Sequence, residues 1–248
     1  MDFVVPLVFL PGLAIGSFLG VVAARVPLRR SVVRPGSACM SCETPIRWYD
    51  NVPVVSYALL RGRCRRCGVR IPPRDLAIEL ATALLLAGCV LAFGFTLKTA
   101  AAAIACAALV VVTATDLERR IVPNRVVLPA GAAVLALQTA GHPSVEWVIG
   151  ALGAAGFLFL AALAYPGGMG MGDVKLALLI GALLGRTTPV GIMFGLLLAL
   201  VPSVVLLVRH GARARRLAIP FAPFLAAGAV VALFAGHPIL HAYLGVMK

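Results

Sequence analysis

Two aspartates stand at unusual positions in this sequence, because each adjoins a long apolar segment. Asp116 follows the apolar run 107–115, and Asp173 follows the glycine-rich segment 167–172. The lack of side chains in that segment allows another backbone to approach closely. A carboxylate beside hydrocarbon is costly and usually functional. At the same membrane depth, two such carboxyl groups are expected to share one proton, one remaining acid while the other is base.

A shared proton between two aspartates is the chemistry of an aspartyl protease. The base draws a proton from a water that attacks the scissile carbonyl, and the protonated partner stabilises the developing oxyanion. The charge placement also fits other interpretations. Either aspartate is compatible with a helix cap, with an ion pair to Arg119, Arg120 or Lys175, or with an ion pathway, and the residues alone leave these alternatives open.

Four cysteines form a second group with chemical potential. Cys39-Met-Ser-Cys42 and Cys64-Arg-Arg-Cys67 are separated by twenty-one residues, the spacing of a four-thiolate zinc site. Four protein ligands leave no open position, so the metal is expected to be structural. The alternative is two disulfides or a redox dithiol, which a reducing compartment disfavours. Cys89 and Cys106 stand alone in apolar segments and are expected to be packing residues.

The composition predicts that most of the chain lies in a membrane. The 248 residues are 61% hydrophobic and 12% charged, with a mean hydropathy of +1.02, which leaves too little polar surface for a water-soluble globule. Eight apolar stretches are long enough, or nearly so, to cross about 30 Å of hydrocarbon. They are 3–24, 76–95, 97–115, 121–140, 145–165, 174–184, 188–208 and 219–244. The predicted fold is therefore an all-α polytopic membrane protein of about eight transmembrane helices, of which the sixth is short and expected to be tilted or partly buried.

Positive charges predict the orientation of these helices. Segment 25–74 holds eleven arginines and is expected to face the cytoplasm. With eight alternating helices, nineteen of the 22 basic residues fall on that side and three on the other, so both termini are expected outside the cytoplasm. The first apolar stretch carries its positive charges after it and is predicted to be a retained helix. Topology and anionic lipid headgroups then explain the net charge of +13, and nucleic-acid binding is not expected.

The motifs resemble those of the type IV prepilin peptidases, intramembrane aspartyl proteases of the GxGD class. Gly170-Met-Gly-Asp173, followed by Val-Lys-Leu, resembles the GxGD signature, and the segment 116–124 resembles the surroundings of the family's other catalytic aspartate. The loop 39–67 is similar to the family's tetracysteine domain. Gly16-Ser-Phe-Leu19, Glu79 and the segment 219–224 also fit.

Two positions depart from the family pattern. Gly20 stands where an asparagine is common, and Ala222 stands where a glycine is usual. Neither departure touches the aspartates. The resemblance implies three parts: a first transmembrane helix at 1–24, a cytoplasmic tetracysteine zinc-binding domain at 25–75, and a membrane peptidase domain of seven helices at 76–248.

The resemblance implies an enzyme of the bacterial inner membrane that removes the basic leader of type IV prepilins or pseudopilins on the cytoplasmic side, for a type IV pilus or type II secretion. It assigns the catalytic role to Asp116 and Asp173. Substrate binding or support of the site falls to Gly170, Gly172, Lys175 and Glu79, and zinc binding to Cys39, Cys42, Cys64 and Cys67. Membrane lipids are the other expected partners.

Members with a tetracysteine domain often also methylate the new N-terminus with S-adenosylmethionine. No glycine-rich nucleotide fingerprint is present, so this second activity rests on the resemblance alone. Glu79 is a candidate contributor to it, and an interfacial glutamate paired with Arg74 is the alternative.

Two other functions compete with the peptidase. One is a transporter or ion pathway that uses the two aspartates. It is less expected, because carriers usually place charges near the bilayer midplane and often have repeated halves, and the sequence has no internal repeat. The other is a membrane methyltransferase or zinc-bearing scaffold whose aspartates are structural.

Overall fold

The computed structural model describes residues 4–165, 169–211 and 219–246, and the regular secondary structure in these ranges is helical. The α-helices are α1 (Val4–Arg25), α2 (Val55–Leu59), α3 (Pro73–Phe93), α4 (Leu97–Arg119), α5 (Asn124–Gly141), α6 (Glu146–Ala164), α7 (Met171–Leu184), α8 (Thr188–His210) and α9 (Ala222–Val246). Short 3-10 helices occupy Trp48–Asn51 and Gly185–Thr187. No strand longer than an isolated bridge occurs in the described ranges, so the all-α prediction is confirmed.

The eight long helices correspond to the eight predicted apolar stretches. Six segments of the described chain are long and apolar enough to span a membrane: Pro6–Arg25, Pro73–Phe93, Leu97–Arg119, Glu146–Ala164, Met171–His210 and Ala222–Gly245. The fifth of these holds both α7 and α8, because only three residues separate the two helices. The 18-residue α5 is not among the six. The protein is a multi-pass membrane protein.

The sixth predicted stretch is short in the structure as well. The 14 residues of α7 extend about 21 Å at 1.5 Å per residue, which is less than the roughly 30 Å of a hydrocarbon core. Ten of these residues are buried. A helix buried on nearly every side belongs to a protein core rather than to a lipid-facing layer.

The chain forms two compact units, with the boundary in the sequence between Gly94 and Phe95. The first unit contains α1, the cysteine-bearing loop with α2, and α3; the second contains α4 to α9. Within the first unit α1 packs against α3. A Cβ atom on Gly16 would lie 2.6 Å from the Cα of Glu79, so the two helix backbones touch there, as small residues permit in membrane helices.

In the second unit, α7 is surrounded by α4, α5, α6 and α9. It crosses α6 at two glycines: a Cβ on Gly181 would lie 2.1 Å from the carbonyl oxygen of Gly150. At the far end of α7, Nε2 of Gln138 on α5 donates a hydrogen bond of 2.9 Å to the carbonyl of Leu183. These contacts hold α7, and the residues at its two ends, in a fixed position within the unit.

Helices α8 and α9 are equally close. A Cβ on Gly228 of α9 would lie 2.3 Å from the carbonyl oxygen of Gly191 on α8. Helix α9 also packs against α4, and its first residue, Ala222, is fully buried. Helix α4 ends with Arg120 in the left-handed conformation, φ 55° and ψ 43°, and the N–H of Arg120 donates to the carbonyl of Asp116.

Candidate active site and metal centre

Asp116 lies in the last turn of α4, where this helix meets the start of α9. Its side chain is buried, with 6% of the residue exposed. Oδ2 accepts a hydrogen bond of 3.1 Å from the backbone N–H of Ala222. A buried carboxylate needs such a donor, and the first N–H groups of a helix have no partner within the helix. The beginning of α9 therefore supplies what the carboxyl group of Asp116 requires.

Asp173 is the third residue of α7 and is 9% exposed. Its backbone N–H donates a hydrogen bond of 3.0 Å to the carbonyl of Gly170, which precedes the helix in an extended conformation. The first turn of a helix favours a negative charge. Helices α4 and α7 pack against each other within the second unit, and Gly172, beside Asp173, packs against Val122, which follows the end of α4. The two aspartates are thus buried neighbours at adjoining helix ends.

The two glycines of the GxGD segment differ in their surroundings. A Cβ on Gly172 would lie 2.8 Å from the Cβ of Val122, whereas a Cβ on Gly170 would find its nearest atom, Oδ2 of Asp173, at 3.8 Å. Only Gly172 is therefore required by packing. The more open Gly170 leaves backbone accessible beside the aspartate. Gly167, which opens the glycine-rich segment, lies outside the described residues.

Lys175 contacts the segment that follows the first aspartate. Its Nζ donates a hydrogen bond of 3.1 Å to Oδ1 of Asn124, the first residue of α5. The contact links the residues after Asp116 with those after Asp173, since each partner belongs to one of the two motifs. Lys175 is therefore placed to hold the two motif segments together.

The four predicted cysteine ligands converge in the first unit. Their sulfur atoms all lie within 4.8 Å of one another. The Sγ–Sγ distance is 3.7 Å between Cys39 and Cys67 and 4.0 Å between Cys42 and Cys64. A tetrahedral zinc ion with Zn–S bonds of about 2.3 Å requires sulfur atoms about 3.8 Å apart. The cluster therefore has the dimensions to hold a metal ion of this kind.

The two C-x-x-C pairs have the same backbone structure. The N–H of Cys39 donates to Thr44 and that of Glu43 donates to Cys39; likewise Cys64 donates to Val69 and Gly68 donates to Cys64. The fifth residue of each turn, Glu43 or Gly68, has a positive φ, 54° or 71°. Two equivalent turns thus present their thiols to the same point from opposite sides.

The local surroundings shift the pKa values of three of the thiols in different directions. A side-chain hydrogen bond with Thr44 lowers the pKa of Cys42 to about 6, and backbone hydrogen bonds from Cys67 and Arg66 lower the pKa of Cys64. A backbone hydrogen bond from Val69 lowers the pKa of Cys67. Burial and the neighbouring thiols raise it by more, so that the resulting pKa is about 11. Thiolates are the metal-binding form, so two members of the cluster are prepared to bind a cation.

An ion pair ties the second cysteine turn to the preceding 3-10 helix. Nε and Nη2 of Arg65 donate to the two carboxylate oxygens of Asp50 at 2.7 to 3.1 Å. This hydrogen bonding with Arg65 lowers the pKa of Asp50. The bidentate geometry gives the loop a fixed shape that its few apolar residues do not provide.

Glu79 lies on α3, against α1 and the cysteine-bearing loop. Its Oε2 accepts a hydrogen bond of 2.8 Å from the N–H of Val54. Val54 has φ 62° and ψ −49°, and the N–H of Val55 reaches the carbonyl of Pro53. This is a γ-turn of the rare, strained kind, and strain of this sort concentrates at functional sites.

A cavity lies beside the turn to which Glu79 bonds. Its volume is about 300 Å3, and its walls include Ser17, Phe18, Arg25, Asn51 and Pro53. All of these residues belong to the first unit. Neither the strained turn nor this cavity was predicted from the sequence; the dipeptide Val-Pro before Val54 marks a loop but not its dihedral angles.

Comparison with known proteins identifies the family. Residues 10–93 match the model of the bacterial peptidase A24 N-terminal domain, and residues 103–208 match that of the type IV leader peptidase family. A prepilin leader peptidase/N-methyltransferase of Bacillus subtilis is 36% identical over 96% of this chain and 97% of its own length. The chain belongs to the type IV leader peptidase family. The predicted resemblance is thereby confirmed.

Other members of the type IV leader peptidase family match nearly as well. Proteins of the same name from Burkholderia pseudomallei and Neisseria gonorrhoeae are 35% and 33% identical, over 92% and 84% of this chain and 84% of each relative. No solved structure matches the chain. The boundary between the two compact units falls in the gap between the two family models, so the cysteine cluster and Glu79 belong to one family domain and both aspartates to the other.

Proposed function

We propose that this leader peptidase cleaves prepilins or pseudopilins, with Asp116 and Asp173 as its catalytic pair. The observation that carries the proposal is the placement of two buried carboxyl groups at the adjoining ends of α4 and α7. Buried carboxylates at a membrane boundary are energetically costly, and residues of this kind are usually functional. The relatives that match over most of the chain are named as prepilin leader peptidases.

In the proposed reaction the two aspartates act as one acid–base unit. The ionised carboxylate removes a proton from water as the water oxygen attacks the scissile carbonyl, while the protonated carboxyl group donates to the carbonyl oxygen. Collapse of the tetrahedral intermediate breaks the C–N bond, and the amine leaves with a proton from the pair. The N–H of Ala222 donates a hydrogen bond to Oδ2 of Asp116 and so fixes the orientation of that carboxyl group.

Two glycines and a lysine support this arrangement in the proposal. The absence of a side chain at Gly170 lets a substrate backbone approach Asp173, and Gly172 allows α7 to begin against Val122. Lys175 holds the segment after Asp116 through Asn124. These roles rest on the distances around the aspartates.

The proposal is tested by weighing the products. Purified protein in detergent is incubated with a prepilin, and mass spectrometry identifies the fragments. A leader peptide and a mature chain that begins just before the apolar helix are the expected products. Intact substrate after prolonged incubation with folded protein, or a cut inside the apolar helix, would contradict it.

We further propose that Cys39, Cys42, Cys64 and Cys67 hold a structural zinc ion. The mutual sulfur distances support a tetrahedral site, and four thiolates leave no position for substrate. In a loop with little apolar core, bound zinc supplies stability that packing does not.

N-methylation is a second proposed activity, because the matching relatives carry N-methyltransferase in their names. S-adenosylmethionine would supply the methyl group. Its carboxylate, sulfonium and purine ring require a cation, an anion and an aromatic face. The cavity of the first unit offers Arg25 and Phe18 in its walls, and Glu79 is bonded to Val54, which follows the wall residue Pro53. This combination supports a role for Glu79 in that activity.

The proposed role of Glu79 is tested by measuring the binding of S-adenosylmethionine rather than the rate of methylation. Glu79→Gln removes the charge but keeps the shape, so photo-crosslinking of labelled S-adenosylmethionine is expected to fall while leader cleavage persists. Asp75→Asn, four residues earlier on α3, is the matched control and is expected to label as the wild type does. Equal labelling of the Glu79 and Asp75 variants would remove Glu79 from the proposal.

The location and topology also belong to this proposal. We place the protein in the bacterial inner membrane, with the cysteine loop in the cytoplasm and both termini outside it, on the strength of the charge asymmetry. The three-part division at residues 24 and 75 is retained as a proposal about sequence segments. Nothing in the family matches favours the transporter alternative.

A further inference from the structure

An apolar groove opens between α6 and α8 in the second unit. It has a volume of about 730 Å3, within the range of about 300 to 1,000 Å3 usual for sites that bind small molecules. Its walls are formed largely by Ile149, Phe157, Ile192, Met193 and Leu196. It borders the 3-10 helix that follows α7, at the end of α7 opposite to Asp173. The groove is therefore separate from the proposed catalytic site.

One glycine leaves the groove open where a side chain would enter it. Gly153 of α6 borders the space. A Cβ on Gly153 would meet no atom within 4 Å, so nothing in the second unit fills this position. In a membrane, an apolar groove of this kind is open to lipid acyl chains.

An ion pair stands at the mouth of the groove. Nε of Arg186 lies 2.6 Å from Oε2 of Glu146, and both residues line the opening. The Arg186 side chain is 78% exposed and that of Glu146 is 19% exposed. A guanidinium group has five N–H donors and a carboxylate accepts about four hydrogen bonds, so each partner keeps capacity for a ligand of opposite charge.

We propose that this groove binds a zwitterionic phospholipid with a primary ammonium group, of the phosphatidylethanolamine type. The acyl chain lies in the groove, the phosphate contacts Arg186 and the ammonium contacts Glu146. The neutral Arg–Glu pair matches a headgroup that carries one charge of each sign. A purely anionic headgroup brings its charge to Glu146 without compensation, and a choline headgroup offers no N–H donor to it.

Native mass spectrometry of the purified full-length protein with phosphatidylethanolamine, phosphatidylglycerol and phosphatidylcholine tests the proposal. The wild type is expected to retain phosphatidylethanolamine about tenfold better than the other two lipids, as one charge-assisted hydrogen bond provides. Gly153→Leu fills the groove and is expected to abolish retention. Gly156→Leu lies one turn further along α6, also in open space but outside the groove, and is the matched control that retains the lipid.

The headgroup contacts have their own variants. Glu146→Gln is expected to equalise phosphatidylethanolamine and phosphatidylcholine, whereas Arg186→Gln weakens retention of all three lipids. Thermal unfolding and prepilin cleavage verify that each variant is folded. Equal lipid retention by the Gly153 and Gly156 variants overturns the proposal, as does a preference for phosphatidylglycerol or retention of detergent with no headgroup preference.

Discussion

The amide of Ala222 donates a hydrogen bond to the carboxylate of Asp116 across 106 residues of sequence. The contact joins the start of α9 to the last turn of α4, and both groups are buried. Because the donor is a backbone group, the bond is independent of the side chain at position 222. Alanine can therefore stand at this position in place of the glycine of the family pattern.

The bond predicts different outcomes for two substitutions of Ala222. Ala222→Gly keeps the N–H and is expected to leave prepilin cleavage within about twofold of the wild type, since Gly loses only about 1 kcal/mol of helix propensity. Ala222→Pro removes the donor at the first helical residue, where proline is tolerated. Loss of a charged hydrogen bond costs about 1.5–3 kcal/mol, so cleavage is expected to fall about tenfold or more. Kinetics at equal amounts of folded protein decide the matter, and equal rates for the two variants would contradict it.

The aspartates themselves are tested by isosteric substitution. Asp116→Asn and Asp173→Asn are each expected to reduce cleavage by about 10²- to 10⁴-fold, the contribution of general acid–base catalysis. Glu118→Gln, two residues from Asp116 but exposed beside Arg119, is the control and is expected to cleave normally. Membrane insertion of all three is verified by fractionation. Substantial cleavage by either asparagine variant would rule out the proposed pair.

The GxGD glycines are predicted to differ in their tolerance of a methyl group. Gly172→Ala forces its Cβ to within 2.8 Å of Val122, and such overpacking costs about 1–3 kcal/mol. Gly170→Ala meets its nearest atom at 3.8 Å and is expected to fold normally. Unfolding midpoints of the purified variants measure the difference. Adding Val122→Gly to the Gly172 variant removes the clashing atom and is expected to restore stability; failure of this rescue would refute the steric explanation.

The cysteine cluster is predicted to hold about one zinc ion per chain. Elemental analysis of freshly purified protein should find it, and Cys64→Ser should lose it and unfold at a lower temperature. Cys89→Ala, at a buried position of α3 outside the cluster, serves as control and should keep the metal. Absence of zinc from the wild type, or its retention by the Cys64 variant, would disprove the assignment.

Much of this organisation follows from local sequence patterns. The helices lie where apolar residues run for eleven or more positions, because burying the backbone in hydrocarbon requires helical hydrogen bonding. The cysteine turns follow from the C-x-x-C spacing. The burial of Asp116 and Asp173 follows from their place at the ends of apolar runs.

Tertiary contacts could not be read in the same way. The donor to Asp116 is a backbone amide far along the chain, and no side-chain pattern indicates it. The merging of α7 and α8 into one apolar segment depends on a three-residue 3-10 helix. The positive φ of Val54 is imposed by its neighbours on a β-branched residue that disfavours it.

Helix α7 contacts α6 most closely at Gly150 and Gly181, so a rigid tilt of α7 would pivot at that crossing. Asp173 lies eight residues from Gly181, about 12 Å along the axis, while Leu184 lies on the other arm. A tilt that displaces the Asp173 end would displace the Leu184 end in the opposite direction. The hydrogen bond from Gln138 to the backbone at that end resists this displacement. The position of the Asp173 carboxylate therefore depends on Gln138, at the opposite end of the helix.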